Sequence, residues 1–158
     1  IVPERNSNAN LESGNDVYYK GAHALHMLRY IIGKETLWAS LKEYLQMPKE
    51  LPDNQTSTDE FISLIEENSG MKLDWFFNQY FFKKELPTLK KLEKTINNKK
   101  YVDLWWEEVD FKMPVEINYF SFDGKRYKKL DLDNKPKRFV IPSDSKLIID
   151  PNRWLLYK

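Results

Sequence analysis

At Leu86-Pro87 the apolar period of the chain changes, and no other feature limits the fold as much. Upstream, apolar residues recur at the helical spacing near ~3.6; downstream they alternate with a period of two. A helical stripe cannot serve as a pleated strand, so the two halves must build different layers. The sequence therefore predicts an α+β chain. Residues 1–85 form an antiparallel helical bundle, and residues 86–158 form a β-sandwich of immunoglobulin-like type.

Four helices are predicted in the first half. Residues Ile1 to Gly14 lack apolar periodicity and read as an irregular opening segment. Val17 to Ile32 is apolar or aromatic around most of its circumference. One arc carries Ala22, Leu25, Leu28, Ile31 and Ile32, and a second face carries Tyr19, His23, His26 and Tyr30. Such a helix belongs in a core, and Gly33 provides its stop. Glu35 to Gln46 is amphipathic, with Leu37, Leu41, Tyr44 and Leu45 on one side. After the loop Met47 to Thr56, Ser57-Thr58-Asp59-Glu60 is a capping box that opens a third helix ending at Ser69-Gly70. The adjacent carboxylates of Glu66 and Glu67 diverge around that helix and read as solvated charge. Met71 to Phe82 makes a fourth helix, with Leu73, Phe76, Phe77 and Tyr80 on one stripe and Trp75 and Phe82 opposite.

Seven short strands are predicted beyond Pro87: Thr88 to Ile96, Tyr101 to Val109, Pro114 to Phe122, Arg126 to Leu132, Phe139 to Ile141, Lys146 to Ile149 and Trp154 to Tyr157. Asn97-Asn98 and Asp123-Gly124 are hairpin dipeptides, and Asp-Gly is the stronger type I′ signal. Val102, Leu104 and Trp106 alternate on one face, as do Val115, Ile117 and Tyr119, so the two sets are expected to meet in a core. Trp105 faces the other way, toward the helical half, or toward a protein or glycan.

Composition narrows the function classes. With 25 basic and 24 acidic side chains the net charge is +1, and the lysines are scattered along the sequence. No phosphate-tracking patch for nucleic acid is visible, nor an electrostatic case for an anionic membrane. No apolar run reaches the ~20 residues that span a bilayer. The absence of cysteine excludes disulfides and thiolate zinc sites. The compartment is left open. The chain begins Ile1-Val2-Pro3-Glu4 without an initiator methionine and is expected to be part of a longer polypeptide.

One stretch points to chemistry: Asn15 to Arg29, NDVYYKGAHALHMLR. Its Tyr18-Tyr19-Lys20-Gly21-Ala22 and Leu25-His26-Met27-Leu28-Arg29 resemble the segment that follows the zinc motif in the gluzincin zinc aminopeptidases, the family of aminopeptidase N. The likeness continues through TSTDEFISLIEENSGMKLDWFFNQYFF, where a Thr-x-x-Asp/Glu-Phe helix, Ser-Gly and an aromatic helix follow in the family's order. The ending Ile148-Ile149-Asp150-Pro151-Asn152-Arg153-Trp154-Leu155-Leu156 is similar to the last strands of shorter bacterial members, in which the domain is a β-sandwich spacer.

The resemblance implies that Tyr18 is the catalytic residue here, its hydroxyl stabilising, with zinc, the oxyanion formed at the scissile carbonyl. A phenol with pKa near ~10 stays protonated at neutral pH and can donate to developing negative charge. The resemblance further implies a metallopeptidase that removes N-terminal residues from peptides. The partners would be a peptide substrate and the zinc-bearing N-terminal part of the same polypeptide. Three family features are missing from this sequence: H-E-x-x-H, the downstream glutamate ligand and the Gly-x-Met-Glu-Asn strand. Zinc is therefore expected only in the intact parent, and the chain alone is expected to be inactive. His23 and His26, three residues apart with no adjacent glutamate, read as partly buried structural histidines. The alternative readings are a protein- or carbohydrate-binding module presenting Trp75, Phe82 or Trp105, or a zinc-less scaffold relative.

Overall fold

The chain is α+β. A computed structural model describes residues 16–48 and 57–158, so the expected irregular opening segment and most of the loop before Ser57 lie outside the described residues. The chain divides into two compact units, Ile1–Lys84 and Glu85–Lys158.

In the first unit, α1 spans Asp16–Ile32, α2 Lys34–Gln46, α3 Thr58–Ser69 and α4 Asp74–Phe77, and α4 widens into a π-helical segment at Asn78–Phe82. Ser57 and Glu60 form the full capping box at the start of α3: Ser57 Oγ accepts from the Glu60 N–H, and the Glu60 carboxylate accepts from the Ser57 N–H. Two otherwise orphaned donors are satisfied, a contribution of about 1 kcal/mol. At the other end Gly70 turns left-handed, with φ 65°, and its N–H returns to the Glu66 carbonyl at 2.9 Å. Phe61, Leu64 and Ile65 of α3 are buried, as are Leu73, Phe76, Phe77 and Tyr80.

The packing corrects three expectations in this half. On α1 the fully buried residues are Ala24, Met27 and Leu28, whereas Ala22 is exposed and Leu25 half-buried. A nearly continuous apolar circumference had hidden which side faces α2 and the π segment. On α2 the buried residues are Leu37 and Ser40, while Leu45 is 78% exposed. Ser40 is buried because both its hydrogen-bonding roles are filled. Its hydroxyl donates to the Thr36 carbonyl at 2.9 Å and accepts from Asn68 of α3 at 3.1 Å. The predicted helix Met71–Phe82 starts only at Asp74 and is not α-helical throughout; the Lys83 N–H reaches back five residues to Asn78 at 3.1 Å.

The second unit holds two three-stranded antiparallel sheets. One is ordered β1 (Thr88–Ile96), β2 (Lys99–Glu107), β5 (Lys137–Pro142). The other is ordered β4 (Gly124–Leu132), β3 (Met113–Ser121), β6 (Lys146–Ile149). Val102, Leu104, Trp106, Val115 and Ile117 are fully buried, but Tyr119 is only half-buried and lies under the Lys128 ammonium at 6.0 Å. Trp106 joins the sheets: its backbone N–H donates to Asp133, just past β4, at 2.8 Å, and its indole N–H donates to the Met113 carbonyl of β3 at 3.4 Å.

The hairpin turns reverse their expected ranking. Asn97 and Asn98 both take positive φ, 47° and 60°, as a type I′ turn requires. Around Asp123-Gly124 the turn shifts back one residue. Ser121 pairs with Gly124, Phe122 and Asp123 form the corner, and of these only Gly124 has positive φ. The Asp123 carboxylate accepts from the Ser121 hydroxyl and from Arg126 at 2.8 Å, bonds that hold it at the corner. Trp154–Tyr157, the seventh predicted strand, is irregular. The Asp150 carboxylate takes the N–H groups of Trp154 and Leu155, at 2.8 and 2.9 Å, and so removes them from any ladder.

Candidate functional site

Tyr18 lies in the first turn of α1 and is 81% exposed; Tyr19 beside it is 70% exposed. The start of a helix suits a residue that must present its side chain outward, because the Cα–Cβ bonds of a helix tilt toward its N-terminus. Two residues on, Lys20 sends its ammonium to the Lys83 carbonyl at 2.6 Å, sixty-three positions away in sequence. That carbonyl lies just past the π segment, where the helix dipole is negative and backbone acceptors lack intrahelical partners. The first turn of α1 is thereby tied to the end of the aromatic helix.

His23 and His26 are half-buried, their rings edge to face with centroids 5.8 Å apart. The Arg29 guanidinium donates to Nδ1 of His26 at 3.2 Å; a guanidinium has no lone pair to offer, so Nδ1 is the acceptor in that bond. The lone pair is committed to Arg29 rather than open to a metal. Nε2 of His23 is buried without a hydrogen-bond partner among the described residues. No group of three or more His, Cys, Asp or Glu among the described residues is placed to hold a metal ion. Nor is any described helix long and apolar enough to cross a membrane.

Glu66 departs from the expected solvated charge. Its side chain is only 14% exposed; it pairs with Lys72 at 2.8 Å and accepts the Leu73 N–H just ahead of α4. Glu67, by contrast, is exposed. Glu66 lines an open groove of about 450 Å³ together with Ser63, Glu67, Gly70, Met71 and Lys72. Its oxygens are spent on holding the aromatic helix, so it is not poised as a general base. The hydrogen bond from Lys72, and then that from the Leu73 backbone, hold its carboxyl below the ordinary value of 4.5.

The sign of the pH effect follows. A depressed carboxyl stabilises the fold above the unfolded-state pKa, and the contribution disappears as pH falls through the folded one. Glu66→Gln is expected to cost about 1 kcal/mol at neutral pH. The difference should shrink to nothing in acid, as seen by thermal unfolding of both proteins from pH 7 downward. A gap constant with pH would mean that the charge of Glu66 does not matter.

Sequence reading missed Glu116 altogether. It alternates with Val115 and Ile117 and so reads as outward, yet it is 8% exposed. It accepts from the Tyr127 hydroxyl at 2.9 Å, Asn152 Nδ2 at 2.8 Å and the Trp154 indole at 3.2 Å. The carboxylate pins the irregular C-terminal segment to β3 and β4. Burial, reinforced by the bond to Glu116, pushes the Tyr127 phenol upward, so Tyr127 stays a donor. No spacing signal pointed here, since the donors come from β4 and from the C-terminal segment, eleven to thirty-eight positions away. Among known proteins, no family model matches this chain, and no curated protein matches it.

Proposed function

We propose that this chain is the C-terminal portion of a zinc aminopeptidase, comprising the end of the catalytic domain and the β-sandwich that follows it. The observation that carries the reading is the Lys20–Lys83 bond. It belongs to the Tyr18-x-Lys20-Gly21 motif and fixes the turn bearing Tyr18 against the aromatic helix, the other element on which the resemblance rests. The phenol of Tyr18 is exposed in this chain, and in this reading it completes a site shared with another part of the polypeptide. Its hydroxyl donates a hydrogen bond to the carbonyl oxygen of the N-terminal peptide bond as negative charge develops there.

The described residues do not fit a zinc site, because His26 Nδ1 is engaged by Arg29 and no other ligand cluster accompanies it. In this reading the metal is held by the zinc-bearing N-terminal part of the parent, and this chain alone is expected to be inactive. In this reading the helices are a bundle fragment, and the two three-stranded sheets are the halves of an immunoglobulin-like sandwich acting as spacer.

The test is the parent gene. Reading the codons ahead of Ile1 should reveal H-E-x-x-H with a later glutamate ligand. Histidines replaced in that motif would turn the chain into a zinc-less scaffold relative, and an upstream region with no such motif would leave a binding module.

A further inference from the structure

The end of the β3–β4 hairpin gathers what the sequence scatters. The register sets Phe120 opposite Lys125 on one side and opposite Lys146 on the other. Directly paired residues of an antiparallel sheet share a face, so a single row across three strands reads Lys, Phe, Lys. In the next row Tyr127 stands opposite Asn118 on the same face. Phe122 at the corner has its whole side chain in water, at 102% exposure, while Phe120 is 40% and Tyr127 55% exposed.

Two lysines on this face lack an acidic partner. Among the described residues no carboxylate pairs with Lys125 or Lys146. The acid at the corner, Asp123, is already neutralised by Arg126 at 2.8 Å. Glu116, two rows back on the face, is buried under donors from Tyr127, Asn152 and Trp154. Single exposed aromatics are ordinary on protein surfaces. Three at one hairpin end, flanked by ammonium groups that no carboxylate pairs, match a surface that is apolar and anionic at once.

We propose that this hairpin end docks on the surface of an anionic lipid bilayer, with Phe122 and Phe120 entering the interface and Lys125 and Lys146 meeting the headgroups. Aromatic rings favour that boundary, and lysines near an anionic surface are attracted to it within a Debye length of about 8 Å. A net charge of +1 gives no attraction at long range, so the contact is local, weak and reversible. Single-stranded nucleic acid offers the same anionic chemistry but fits less well. It binds by stacking bases on ring faces, and the Lys125 ammonium stands over the Phe120 ring, 5.7 Å from its centre.

Sedimentation of the 158-residue chain with vesicles tests the proposal. Binding is expected to vesicles of phosphatidylcholine mixed with phosphatidylserine, absent with phosphatidylcholine alone, and weakened by salt. Phe122→Ala should reduce it roughly tenfold, and Lys125→Gln or Lys146→Gln roughly fivefold each. All three side chains are exposed, so unchanged thermal unfolding will show that the variants remain folded. Failure to bind the anionic vesicles overturns the proposal. So does binding indifferent to Phe122→Ala, tighter binding to a single-stranded oligonucleotide, or self-association through Phe122 that leaves vesicles untouched.

Discussion

Trp106→Ala is expected to lower the stability of the strand unit by about 3–5 kcal/mol, the range for removing a large buried aromatic. The indole is fully buried and packs edge to face on Tyr157, with ring centres 5.8 Å apart. Truncation would leave a cavity and remove the indole N–H that donates to the Met113 carbonyl. The residue also sits where β2 reaches the segment after β4, through its backbone N–H to Asp133. A void there loosens both sheets. Small domains have only ~5–15 kcal/mol of stability in total, so the variant should stand near the edge of unfolding. Denaturant unfolding followed by near-ultraviolet circular dichroism measures the loss. Leu92→Ala on β1, at a side chain 62% exposed, should cost under ~0.5 kcal/mol and serves as the control. A Trp106→Ala cost below ~1 kcal/mol would mean that the sheets do not depend on this contact.

The parts of this fold that were legible in the sequence are those governed by neighbouring residues. The capping box at Ser57 and the left-handed stop at Gly70 are written within a few positions of the helix they bound. Likewise, the strands Thr88–Ile96 and Lys146–Ile149 keep the bounds read from the sequence. What escaped reading depends on side chains that reach across sequence. Leu73 stands at the start of α4 with its N–H held by a carboxylate seven residues earlier, a link that no local pattern displays. The turn at Asp123 slides because Ser121 and Arg126 claim its side chain, a competition that the dipeptide Asp-Gly does not display. Trp154 and Leu155 leave the ladder for Asp150, and Glu116 is drawn inward by donors eleven, thirty-six and thirty-eight positions away.

The candidate site divides along the same line. Tyr18 could be singled out because it stands within a short motif. The Lys20 bond that anchors its helix turn spans nearly the whole helical unit and has no local signature. The apolar residues of Val17 to Ile32 recur around the whole helix, so periodicity gave no direction to its buried side. Its packing on α2 and the π segment supplied one.

On the reading proposed above, Tyr18→Phe in the intact aminopeptidase is expected to cut kcat by about a hundredfold while leaving KM nearly unchanged. The magnitude is that of losing one donor to an oxyanion, about 2.7 kcal/mol. The split between the constants follows from when the bond forms. A neutral ground-state carbonyl accepts weakly from the phenol, and the bond strengthens only as the oxygen gains charge. The substitution is a clean probe, because it deletes one oxygen from a ring that is 81% exposed within this chain. Thermal stability should therefore not move. Tyr19→Phe removes the same group one residue away, from a side chain pointing about 100° around the helix, and should leave both constants as they are. Steady-state kinetics on a peptide with a free N-terminus, with the variants side by side, decide the matter. Equal kcat for the parent and Tyr18→Phe would remove the phenol from the mechanism. An equal loss in both variants would instead point to a shared packing role for the tyrosine pair.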